Sequence, residues 1–207
     1  MLRVYHCLLP EKEPALPAEL ISAYRKDKLK KQTNALLRLH SAAAELLLRY
    51  ALHDSGYRVD GPLDIAVGRY GKPFLWNGAC FFSLSHSARA ILCALCDLEI
   101  GADIQIQSKA QDALLQRCLR EDERSFVCGA TDPNAAFTEI WAKKESFCKL
   151  DGRGLALSLG SFSVFDEAIA PLLAHKTAGE YHLAVSSEAV KTEQAEWIEV
   201  KTSVLFP

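Results

Sequence analysis

Residues 134–150, NAAFTEIWAKKESFCKL, constrain this chain more than any other stretch. Asp132-Pro133 ahead of them is a helix start signal and Asp151-Gly152 behind them a stop, with no Gly or Pro between. The pattern predicts one helix. On it Trp141, Glu145 and Lys149 fall at i, i+4 and i+8, so an aromatic ring, a carboxylate and an ammonium share one stripe. That is not an ordinary apolar core face. Two readings stand: a surface helix with a Glu-to-Lys pair worth a few tenths of a kcal/mol, or a helix that carries a site.

The rest of the chain supplies the setting. A first strand is predicted over 2–9, then helices over 18–31 and 33–52, the second with Leu36, Leu37, Ala43, Leu47 and Leu48 on its apolar side. A short strand over 63–67 and a loop over 68–78 follow. Apolar runs at 81–85 and 90–95 around a polar turn read as adjacent strands, and 100–106 as a third. Short helices are predicted over 112–119 and 121–127, and after the central helix come strands over 161–165, 181–186 and 197–204. This order predicts an α+β protein of two halves, 1–100 and 101–207.

Composition narrows the function classes. A net charge of −2 argues against general nucleic-acid binding, and no apolar run approaches a membrane span. The first residues lack the basic-then-apolar pattern of a secretory signal, and seven cysteines without framework spacing suit a reducing cytoplasm. Cys93-x-x-Cys96 lies in a predicted strand, where positions three apart face opposite ways, a poor chelate.

Four further stretches carry chemistry. Arg25, Lys26, Lys28, Lys30, Lys31 and Arg38 form a basic cluster, either a solvated face or a site for phosphate. In Gly68-Arg69-Tyr70-Gly71-Lys72-Pro73 two glycines admit close approach of a ligand and Lys72 is a point charge suited to phosphate. Phe82-Ser83-Leu84-Ser85-His86-Ser87 sets a His beside Ser; adjacent strand residues point apart and G-x-S-x-G is absent, so an anion-binding His fits better than a hydrolase dyad. In Gly101-Ala102-Asp103-Ile104-Gln105 the Asp and Gln share a strand face, hard oxygen donors of the type magnesium prefers, or else a half-exposed edge. Together these are the parts that phosphoryl chemistry on a polyphosphate requires.

YGKP at 70–73, FSLSHS at 82–87, GADIQ at 101–105 and WAKKESFCKLDGRGL at 141–155 resemble, in order and spacing, the 4′-phosphopantetheinyl transferases of the surfactin-synthetase-activating type. The resemblance implies a monomer of two similar α/β halves about a pseudo-twofold, with coenzyme A in the cleft between them. It implies magnesium-dependent transfer of the phosphopantetheine arm to a serine of an acyl or peptidyl carrier protein, releasing adenosine 3′,5′-bisphosphate. By motif, Asp103, Gln105 and Glu145 match the metal positions, Gln105 standing where the family usually has Glu. Arg25 and Lys28 match the 3′-phosphate positions, Lys72 and Pro73 the loop beside the adenine, and Ser85 and His86 the phosphate-contacting pair. Lys149 matches the lysine on the phosphates. Glu145, Lys149 and His86 are the catalytic candidates, and Leu114, Leu115, Cys118, Leu119 and Phe126 fall where the family meets its carrier. A coenzyme-A- or carrier-binding protein with little transfer is the alternative, prompted by Gln105.

Overall fold

The computed structural model describes residues 1–11, 14–191 and 194–206. Strand β1 (Leu2–Leu8) opens the chain. The helix expected over 18–31 is broken: a 3-10 turn at Ala18–Leu20 precedes α1 (Ala23–Lys31), because Ser22 is extended and its Oγ accepts from the Arg25 N–H as the cap. Helix α2 (Ala35–Asp54) is capped by Asn34 in the same way. Strands β2 (Ile65–Val67) and β3 (Pro73–Leu75) form a small antiparallel hairpin. The predicted loop over 68–78 therefore contains a strand, which Pro73 can begin because its missing N–H falls at the strand's first residue.

Strands β4 (Phe81–Ser87), β5 (Ala90–Cys96) and β6 (Gly101–Ile106) follow, then α3 (Asp112–Cys118), α4 (Glu121–Gly129) and α5 (Pro133–Asp151). Asp132 caps α5 at its start and Gly152, at φ 83°, ends it in the left-handed conformation. The strand expected over 161–165 is absent. There the Ser163 and Val164 N–H groups donate to the carboxylates of Asp166 and Glu123, so side chains take the donors a sheet would need. The chain ends with β7 (Leu173–Ala178), β8 (Tyr181–Ser186), β9 (Glu196–Glu199) and α6 (Thr202–Leu205). The predicted strand over 197–204 is thus a short strand followed by a helical turn.

The protein is α+β, with main sheets ordered β4-β5-β1-β9 and β6-β8-β7. The same plan recurs: β1, α2 and the β4–β5 hairpin are matched by β6, α5 and the β7–β8 hairpin, the last strand central each time. Strand β9 returns to pair parallel with β1, so the chain's end joins the first sheet. Helix α2 packs on one face of that sheet through Leu47, Cys93 and Leu95. The opposite face, through Val4, Leu92 and Cys96, packs on Ala102, Ile104, Leu183 and Val185 of the second sheet. Cys93 and Cys96 therefore belong to different apolar clusters. Helix α5 lies on the outer face of the second sheet. Gly101 permits this: a Cβ there would sit 1.9 Å from the Ser146 carbonyl oxygen and 2.3 Å from the Leu150 nitrogen.

Candidate functional site

Period-two alternation places Ser83, Ser85 and Ser87 on one side of β4, and that side meets β6. Ser83 Oγ accepts from the Ala102 N–H at 2.9 Å and Ser87 Oγ from the Ile106 N–H at 3.0 Å. Between them Ser85 Oγ donates to Asp103 Oδ1 at 2.6 Å. Both strands are sheet edges, so serine hydroxyls do here what a backbone ladder does inside a sheet. The motif that suggested a nucleophile is a polar seam, and it carries the Asp103 register.

Asp103 is 2% exposed and accepts from three side chains. Besides Ser85, Oδ1 accepts from Lys149 Nζ at 2.7 Å, and Oδ2 accepts from Gln105 Nε2 at 2.8 Å. Lys149 also donates to the Ala102 carbonyl at 2.9 Å. Glu145, one turn earlier on α5, is half-buried, and its side chain makes no hydrogen bond among the described residues. Burial and then the Asp103 charge push its pKa up, with Lys149 opposing. The stripe on α5 divides in two: Glu145 and Lys149 face the seam, while Trp141 packs against Phe137 in the cluster with Leu115 and Val127. Lys144, next to the stripe, is fully buried and binds both Glu123 oxygens at 2.7 Å, tying α4 to α5.

Cationic and polar groups ring this centre. His86 points away from the serine side and is exposed, stacked on His40 with ring centroids 4.5 Å apart and planes 18° apart. Protein packed around it pushes its pKa down to about 4; His40, Lys149 and Lys28 push the same way and Asp103 opposes them. Lys28 is exposed on α1. Lys72 and Pro73, with Tyr70, Ser83, Cys148 and Lys149, line a cavity of about 230 Å³ between the 70–73 loop, β4 and the end of α5. Lys72 donates to Glu99 at 2.7 Å.

Arg25 stands apart. It is 5% exposed, with Nε 3.2 Å from the fully buried Glu45 and Nη1 donating to Ser41 at 3.1 Å. It holds α1 to α2, and Ser41 joins it without having given any signal in the sequence. In the stretch expected to meet a carrier, Leu115, Cys118 and Leu119 are buried. Phe126 is 44% exposed and packs edge-on against Phe165 at 5.4 Å.

Fold and site define an α+β protein whose two sheets meet edge to edge at a carboxylate–lysine centre, with an adjoining cavity and cations on both sides. Residues 99–198 match the model of the 4′-phosphopantetheinyl transferase superfamily. The chain is 32% identical over 112 residues to the 4′-phosphopantetheinyl transferase Sfp of Bacillus subtilis (strain 168), covering 52% of this chain and 50% of that protein. To another 4′-phosphopantetheinyl transferase of Bacillus subtilis it is 32% identical over 150 residues, 70% of this chain and 66% of that one. To the 4′-phosphopantetheinyl transferase psf-1 of Bacillus pumilus it is 30% identical over 122 residues, 58% of this chain and 52% of the other. The chain spans between half and just under two thirds of the length of these curated relatives.

Proposed function

We propose that this protein transfers the 4′-phosphopantetheine arm of coenzyme A to a serine of an apo acyl or peptidyl carrier protein. The observation that carries the reading is the convergence of Asp103, Glu145 and Lys149 at the seam, between His86 with Lys28 on one side and Lys72 on the other. The donor set suits magnesium: Asp103 and Glu145 offer hard oxygens, and Asp103 already gathers only hydrogen-bond donors and a cation. Magnesium, when held by Asp103 and Glu145 with Gln105 beside them, supplies charge neutralisation at the pyrophosphate.

The chain's own residues do the rest. The carrier serine Oγ attacks the β-phosphorus of coenzyme A and the bond from that phosphorus to the bridging pyrophosphate oxygen breaks. Glu145 takes the serine proton; in the metal-free protein burial and the Asp103 charge raise its pKa. Lys149 stabilises charge on the departing adenosine 3′,5′-bisphosphate. His86 orients the phosphates, while Ser85, whose hydroxyl is spent on Asp103, holds that carboxylate in place. Lys72 and Pro73 border the adenine, and Lys28 holds the 3′-phosphate with Arg25 behind it. We read the recurring strand–helix–hairpin plan as two halves, 1–100 and 101–207, about a pseudo-twofold, in a monomer. Seven free thiols, six of them buried, support a cytoplasmic setting, and among the described residues no helix is long and apolar enough to cross a membrane.

The test is to incubate the protein with coenzyme A, magnesium and several apo-carriers and weigh each carrier. The proposal requires the arm's mass on at least one of them; unmodified carriers throughout, with coenzyme A bound, would leave a binding protein.

A further inference from the structure

His40 is not part of any motif discussed above, yet the structure ties it to the site at two points. It lies on α2, is 3% exposed, and lays its ring flat on His86 at 4.5 Å. Its Nε2 is 2.7 Å from the Ala88 carbonyl oxygen. A carbonyl only accepts, so Nε2 carries the proton and His40 is held in one tautomer. The neutral form suits its surroundings, since burial lowers its pKa and Arg89 adds to that, with only the Ala88 carbonyl opposing.

Ala88 is the place where such a hold matters. It is the one non-glycine residue at positive φ among those described, at 50°, in the turn that joins β4 to β5. A side chain in that region is strained and persists where its surroundings over-determine it. Three contacts do so: His40 on the Ala88 carbonyl, Tyr181 Oη accepting from the Arg89 N–H at 3.4 Å, and Arg89 Nε donating to the Leu9 carbonyl at 3.3 Å. His86 is two residues before this turn and exposed, so nothing on its own strand fixes its ring.

We propose that His40 is a positioning residue that sets the His86 ring for coenzyme A, by stacking on it and by pinning the turn that follows. This rests on the functional reading given above. It predicts an effect on coenzyme A and none on the carrier, because His40 touches only the His86 side of the seam. His40 Nδ1 is buried and has no hydrogen-bond partner among the described residues.

The test compares His40→Leu with His40→Phe. Both lose the bond to Ala88 and both keep an apolar group in a buried site; only Leu loses the ring. Coenzyme A affinity is measured by calorimetry, the KM for coenzyme A and for carrier are measured separately, and the His86 ring signals are followed by NMR in the ligand-free protein. His40→Leu should shift the His86 signals and weaken coenzyme A roughly tenfold with the carrier KM unchanged, and His40→Phe should be milder. Unmoved His86 signals with unchanged coenzyme A affinity in His40→Leu would overturn the proposal. Wild-type protein that binds no coenzyme A would overturn the functional reading instead, while the His86 signals still report on the stack.

Discussion

Gln105 Nε2 donates to Asp103 Oδ2 at 2.8 Å, and this bond decides which way the Gln105 amide faces. A carboxylate has no proton to give, so the amide turns its nitrogen to Asp103 and its oxygen to Ser87 Oγ, 3.4 Å away. Where the family usually has a third carboxylate, this chain has a donor that steadies one of two.

Gln105→Glu replaces that donor with a second negative charge beside Asp103. Without magnesium the variant should be less stable by about 1–2 kcal/mol. Magnesium should bind it more tightly than wild type in the absence of coenzyme A, and its stability should become magnesium-dependent. Thermal unfolding with chelator or magnesium, together with calorimetry, reads both. Unmoved curves would mean that residue 105 does not act on this centre.

Glu145→Gln should separate stability from activity. The folded pKa of Glu145 lies above its unfolded value, so its contribution to stability is full below the unfolded pKa and is lost as pH rises through the folded one. Gln mimics the protonated acid. In chelator the variant should match wild type near about pH 4 and exceed it at neutral pH, while transfer falls by ~10²-fold or more. Denaturant titrations at the two pH values check the sign.

Arg25 and Lys28 should part company under mutation. Lys28→Ala removes an exposed charge and should raise the KM for coenzyme A more than that for its 3′-dephospho form. Arg25→Ala strands the buried Glu45 carboxylate and should cost about 3–5 kcal/mol of stability. Denaturation and paired kinetics distinguish the two effects; equal KM changes on both substrates for Lys28→Ala would return the basic helix to a solvated face.

Gly101→Ala tests the packing that brings α5 to the seam. The new Cβ meets Ser146 and Leu150 backbone, which cannot rotate away, so the loss should reach about 3 kcal/mol or more. Chemical denaturation measures it. Transfer should fall too, because Glu145 and Lys149 ride on the displaced helix.

What the sequence shows of this protein is mostly what one segment determines by itself. Helix α5 is legible because its cap and its stop are neighbours of its own residues, and β4 to β6 because their apolar runs are long. Strand β7, with Ala174, His175 and Lys176, gives little strand signal because it is an edge whose side chains are only half-buried or exposed. Residues 161–165 look like a strand, yet their donors go to Asp166 and to Glu123 some 41 positions from Val164. The carboxylates, the lysine and His86 were readable as a pattern. The serine seam, Arg25 on Glu45 and His40 under His86 were not, because each is a contact between elements that no local spacing encodes.

The most direct measurement of the central claim is the stoichiometry of a single reaction: adenosine 3′,5′-bisphosphate released against carrier serine modified, for wild type and for Asp103→Ala. The account predicts one bisphosphate per modified serine in wild type, no release without carrier, and neither product from Asp103→Ala. Bisphosphate released without carrier, or a wild-type rate from Asp103→Ala, would contradict it.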